Sequence, residues 1–159
     1  MLLAMSVLLH LLESMIELPF PVPGVKLGFA NIIGLIAFFL FNFKVMVGLN
    51  LARVLLASLM RGILFGFPFW MSLAGVSLST LMVGIFGFKK KLSCMMLSVV
   101  SAVFHCVGQI IAAYFMTGTT TILYYFPIML LLSIPTGLLT GYLATEVIKR
   151  IQKNFGKDL

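Results

Sequence analysis

His10, Glu13 and Glu17 recur at i, i+3 and i+7, which sets an imidazole and two carboxylates on one helical stripe about 60° wide. Asn50, Arg53, Ala57 and Arg61 share a second face, about 80° across at the helical rotation of about 100° per residue. Ser98, Ser101, His105 and Gln109 form a third. Between the first two, Lys26 and Asn31 add an ammonium and a carboxamide. Cations, carboxylates and amides in this mix suit electrostatic and hydrogen-bonded capture of a small ligand. An arginine fork in particular matches the planar oxygens of a carboxylate or phosphate. The plainer reading is a structural ion pair between Glu13 and Arg53, because paired intramembrane charges need no ligand. His105 taken alone reads as a hydrogen-bonded packing residue.

The setting of these side chains is a membrane. The chain has 159 residues, of which 62% are hydrophobic and 9% charged, and its mean hydropathy is +1.18. Ordinary globular chains carry about 25% charged residues. The apolar runs reach the length of about 20 residues that a spanning helix needs. The pattern predicts one all-α transmembrane domain over residues 1–159, a bundle of six helices. Their predicted ranges are about 2–18, 25–43, 44–65, 71–88, 92–116 and 122–148. Such a bundle uses the whole length and leaves no soluble catalytic domain.

Between the first two predicted helices lies a connector with prolines at alternate positions, Pro19, Pro21 and Pro23, followed by Gly24. Each proline lacks an N–H and clashes with the preceding turn, so the connector must be extended. It reads as a stiff lid over the charged stripes. The segment Gly66–Trp70 reads as an aromatic turn. Pro127 and Pro135 are expected to kink the sixth helix. Ser72, Gly75 and Ser79 suit close helix packing, and the GxxxG pairs Gly62/Gly66 and Gly137/Gly141 point to packing before dimerisation.

Several functions are disfavoured. The net charge of +7 does not indicate nucleic acid, since the basic residues flank apolar segments as positive-inside sorting requires. Cys94 and Cys106 fall in one predicted helix about 18 Å apart along its axis, too far for a disulfide. No Walker A sequence occurs, so ATP hydrolysis would have to come from a partner. The chain has a single aspartate, Asp158, which leaves Mg²⁺-dependent diphosphate chemistry without its ligands. Metal-binding clusters are absent, and the chain is not expected to be an enzyme. The N-terminus lacks the basic region of a cleavable signal peptide.

Basic residues also set the orientation. Lys44, Lys89, Lys90, Lys91, Lys149, Arg150, Lys153 and Lys157 fall on one side, against Lys26 and Arg61 on the other. The positive-inside rule then places both termini in the cytoplasm of a multi-pass protein in a bacterial cell membrane. Glu13, Glu17, Asn31, Arg61 and Gln109 lie in the outer half, with Arg53 and His105 nearer the middle. Charged stripes converging at one depth are how intramembrane sites are built. His10 and His105, at comparable depth on different helices, also leave a bis-histidine haem as an alternative.

The run from Glu13 to Asn31, ESMIELPFPVPGVKLGFAN, resembles the signature of the Gx transporter family, also labelled heptaprenyl diphosphate synthase component I. Arg53–Ser58, Ser72–Gly75, His105–Gln109, Tyr125–Pro127 and Pro135–Gly137 resemble its later blocks. The resemblance covers nearly the whole chain. It implies a six-helix fold like the substrate-binding S components of energy-coupling-factor transporters, which work with a membrane coupling subunit and ATPases. It also implies relatives encoded near prenyl-diphosphate synthases and flavin-based extracellular electron-transfer proteins. The expected function is a non-enzymatic binding and transport subunit that takes a small anionic or amphipathic ligand in an outward-facing pocket. Arg53, Arg61 and Lys26 would supply positive charge, and Asn31, His105 and Gln109 hydrogen bonds. Glu13 and Glu17 would hold the empty site near neutrality. No cofactor is expected. Quinone, flavin or haem belongs to the alternative, a membrane subunit of a quinol- or flavin-linked electron-transfer system with a flavin-bearing partner. A third possibility is an accessory to prenyl-diphosphate or quinone synthesis.

Overall fold

Short polar and glycine signals decide where the helices begin and end. The computed structural model describes residues 1–15, 30–88 and 92–155. Its helices are α1 (Leu2–Met15), α2 (Asn31–Leu40), α3 (Phe43–Met60), α4 (Phe67–Gly87), α5 (Cys94–Thr117) and α6 (Phe126–Phe155), with a 3₁₀ turn at Thr120–Tyr125. No strand occurs among the described residues. The six predicted helices are therefore present in order. Four segments are long and apolar enough to cross a membrane: α3, α4, α5 and the stretch Thr120–Asn154. α1 and α2 are apolar but shorter. The proline connector (Pro19, Pro21, Pro23, Gly24), together with Glu17 and Lys26, lies outside the described residues.

Where boundaries differ from the prediction, the cause is local. Asn42 caps α3 by accepting the Val45 N–H at 2.9 Å, and Ser93 caps α5 by accepting that of Met96 at 3.3 Å. The predicted third helix ran to residue 65, but α3 stops at Met60. Gly62 adopts a left-handed φ of 66°, its N–H bonds the Leu59 carbonyl, and the Ile63 N–H bonds that of Ser58, both at 3.0 Å. This double bond is the Schellman closure that a glycine permits. Gly62 and Gly66 thus form a turn and not a packing face. Pro68 sits in the first turn of α4, where its missing N–H costs nothing, so the predicted aromatic turn belongs to the helix. Pro127 likewise falls in the first turn of α6, and Pro135 is the proline inside it. α6 also runs on through the basic tail, where Lys149 and Glu146 form an exposed ion pair at 3.8 Å.

α5 is the hub, packed extensively on α4 and α6, while α2 and α3 contact each other and α1 lies on α3. Without a hydrophobic drive between helices in lipid, close backbone approach must hold such pairs. A Cβ on Gly108 of α5 would fall 2.6 Å from the Ala74 carbonyl oxygen of α4. A Cβ on Gly137 or Gly141 of α6 would come within 2.8 Å of the Val99 or Met95 Cα of α5. Gly137 and Gly141 therefore make an intramolecular interface, as the GxxxG reading favoured. Ser98 and Thr140 share a hydrogen bond of 2.9 Å across the same interface.

Gly108→Ala should lower the unfolding midpoint in detergent, by about 1–3 kcal/mol, since backbone lies on both sides of the new methyl. Gly48→Ala, where nothing lies within 4 Å, should leave the midpoint unchanged or raise it by no more than about 1 kcal/mol. Equal effects at the two positions would remove the close α4–α5 contact as a stability determinant.

Candidate functional site

One layer of the bundle collects the polar stripes. The ten described helical residues of α2 rise about 15 Å. Asn31 therefore stands about 15 Å from the end where α2 passes to α3, about half the thickness of a hydrocarbon core. Arg53 lies ten residues after Phe43 at that end, again about 15 Å in. The Phe43 and Phe88 rings, 5.3 Å apart, bring the α4 C-terminus to the same end. His105, eleven residues into α5 from Cys94, then reaches a similar depth of about 16 Å. Asn31, Arg53 and His105 therefore lie at similar distances from that end of the bundle.

At that depth the chain around Ala30 is clamped between opposite charges. Arg53 donates from Nη1 to the Ala30 carbonyl and from Nη2 to Asn31 Oδ1 at 2.9 Å. Glu13 Oε2 accepts the Ala30 N–H at 3.4 Å. Glu13 and Arg53 also interact electrostatically. The guanidinium is only 1% exposed, and Glu13, Ala30 and Asn31 are buried with it. The position suits a carboxylate, since a helix N-terminus presents unpaired N–H groups and the positive end of its dipole. Two donors are left over: among the described residues, Arg53 Nε and Asn31 Nδ2 are buried without a hydrogen-bond partner. Buried donors in that condition are costly, about 1–3 kcal/mol each.

Asn50, one turn below Arg53, donates to Thr80 Oγ1 of α4 at 2.8 Å. Its Oδ1 lies against Gly34 of α2, where a Cβ would come within 2.7 Å. The α2 glycine lets the amide sit between three helices. His105 and Gln109 are buried on α5 and pack on Gly75 of α4, whose absent Cβ would fall 2.9 Å from His105 Cε1 and 3.0 Å from Gln109 Cγ. They occupy the same interior as Arg53, facing α4. His10 is buried on α1 with Glu13. Arg61 is different. It caps α3 beyond Met60 and is exposed, two helical turns above Arg53 and outside the buried layer. The Gly62 stop signal explains this, since the helix that was to carry Arg61 inward has ended.

Sequence reasoning missed Ala30, which contributes through its main chain and carries no side-chain signal, and it missed Thr80 as the partner of Asn50. Among the described residues no group of three His, Cys, Asp or Glu could hold a metal, and Cys94 and Cys106 are free thiols. A surface recess of ≈ 450 Å³ lies between α3 and α4 and shares Asn50 and Thr80 with the polar layer.

Arg53→Gln should destabilise the bundle by about 3–5 kcal/mol, because Glu13 is left buried against a neutral amide. Adding Glu13→Gln should recover a large part of that loss, read as the unfolding midpoint in detergent. Additive losses in the double variant would show that the two charges do not act on one another.

The comparisons with known proteins agree with this architecture at the level of family. A search of the curated proteins and a search of the solved structures each return no match. The family model described as heptaprenyl diphosphate synthase component I matches residues 2–147, which takes in α1 to α5 and most of α6, with the buried Glu13–Arg53 clamp and the His105–Gln109 turn of α5. The chain belongs to the heptaprenyl diphosphate synthase component I family.

Proposed function

We propose that this protein is a non-enzymatic membrane subunit that binds a small anionic or amphipathic ligand against Arg53 and Asn31. Its role would be that of an energy-coupling-factor S component, with all six helices spanning the bacterial cytoplasmic membrane and both termini inside. The carrying observation is the pair of unsatisfied donors, Arg53 Nε and Asn31 Nδ2, beside a fully buried guanidinium. An arginine at bilayer depth costs roughly 2.5–3.5 kcal/mol on the mildest insertion scale. Ala30, Asn31 and Glu13 offset much of that, yet donors remain for oxygen atoms that the described residues do not supply. The depth of Asn31 and Arg53 supports the same reading, since polar groups near the midplane are a recurrent way to hold ligands in transporters.

Non-enzymatic character is favoured by the single aspartate. Prenyl-diphosphate chemistry would need carboxylates for Mg²⁺, so such chemistry would fall to another subunit. The family's description names one component of a synthase, which favours work alongside a second component. A coupling subunit with ATPases would fill the same place for transport.

Protein extracted in mild detergent should carry an acidic or amphipathic small molecule identifiable by mass spectrometry. The Arg53→Gln/Glu13→Gln variant should be folded, with unchanged helicity, yet carry none of it. A folded double variant that retains the molecule and full function would leave Arg53 as scaffold and overturn the reading. Quinone, flavin or haem in the extract would move it to the electron-transfer alternative. For orientation, with Cys94 and Cys106 replaced by Ala, Thr119→Cys should react with impermeant thiol reagents in intact cells and Lys153→Cys only after lysis. Labelling of Lys153→Cys from outside would reverse the topology.

A further inference from the structure

The recess between α3 and α4 has a chemistry unlike that of the Arg53 layer. Phe43, Val47 and Leu51 form its α3 wall, and Leu81, Ile85 and Phe88 its α4 wall. It measures ≈ 450 Å³, about the volume of one long hydrocarbon chain, and its lining is mostly apolar. Gly84 makes the concavity, because a Cβ there would strike the Phe43 ring at 2.7 Å. α3 and α4 pack on each other far less extensively than α4 packs on α5, so the two helices part here. Both are long and apolar enough to cross the membrane, and the recess therefore opens sideways into hydrocarbon. Water has few partners in such a space, and an empty gap would forfeit the dispersion contacts of its walls.

Charge defines what enters it. The recess runs from Asn50, near mid-depth, to the T-shaped pair of Phe43 and Phe88 at the helix ends. Lys44 is exposed next to Phe43, and the sequence continues from Phe88 directly into three lysines. Basic residues at the interface attract anionic lipid headgroups, whereas an uncharged wall above them accepts only the chain. We propose that this recess is a lipid site that seats one acyl chain of an anionic phospholipid, with the phosphate held at the Lys44 end. The site is independent of any ligand at Arg53.

The test uses the full chain in detergent with two lipids of identical acyl chains, phosphatidylglycerol and phosphatidylcholine, read by native mass spectrometry. Phosphatidylglycerol should be retained several-fold more than phosphatidylcholine. Lys44→Gln should bring that ratio toward one. Val47→Phe, which fills the recess, should lower retention of both, and Leu131→Phe on the exposed face of α6 should change neither. Should Val47→Phe fail to fold, a tryptophan at Leu81 in a Trp70→Phe background gives an independent readout. Chain-brominated phosphatidylglycerol should quench it at lower lipid ratios than brominated phosphatidylcholine. Equal retention of the two lipids overturns the proposal. So does retention that Val47→Phe leaves unchanged, or quenching that does not distinguish the headgroups.

Discussion

A guanidinium in the middle of a lipid-embedded bundle cannot be left with apolar neighbours, and the way Arg53 is accommodated shapes half of this protein. Its two terminal nitrogens reach the Ala30 carbonyl and the Asn31 side chain, which draws the start of α2 to mid-depth. Glu13 completes the arrangement from α1 by taking the Ala30 N–H. Three helices are thereby positioned by a single cation and the residue it grips. The neutral acceptors matter as much as the carboxylate. Hydrogen bonds to charged groups contribute about 1.5–3 kcal/mol each, and they spread the charge over atoms that stay in place whether or not Glu13 is ionised.

The other half of the bundle is held by a different device. α4, α5 and α6 approach through glycines at 75, 108, 137 and 141, with small hydroxyl residues between them. Ser133, Thr136, Thr140 and Thr145 bond carbonyls of their own helix three or four residues back, so hydroxyl groups can be buried without a partner on another helix. Asn50 of α3 joins the two halves through its hydrogen bond to Thr80 of α4, and within the second half the missing side chain of Gly75 leaves the space that His105 and Gln109 fill. The polar interior therefore continues from α1 to α5 through close contacts.

These two modes have consequences for access. Where backbones meet, at α4–α5 and α5–α6, glycines set the approach and leave little space at the contact itself. Where side chains hold the helices apart, at α1–α2–α3 and in the parting of α3 from α4, there are unsatisfied donors on the inner side and an apolar recess on the outer side. The polar layer and the apolar recess meet at Asn50 and Thr80, which border both.

Periodicity alone was enough to establish an all-α membrane chain, its six helices and the inward faces of α1, α3 and α5. Ser6, His10 and Glu13, Asn50 and Arg53, and Ser98 to Gln109 are all buried, because a polar group inside lipid has only the interior to face. The helix ends were also legible in principle: Asn42, Gly62 and Pro68 are cap and stop residues whose local geometry is set within a few neighbours. What the tertiary structure alone decided is who meets whom. The clamp passes through the main chain of Ala30, which has the same backbone groups as every other alanine in the sequence. Asn50 finds Thr80, thirty positions away, and Arg61 falls outside the layer because α3 ends at Met60 and leaves it as the exposed cap. Such pairings depend on the relative rotation and depth of packed helices. Those are set by contacts among all of them, and no single stretch of sequence contains that information.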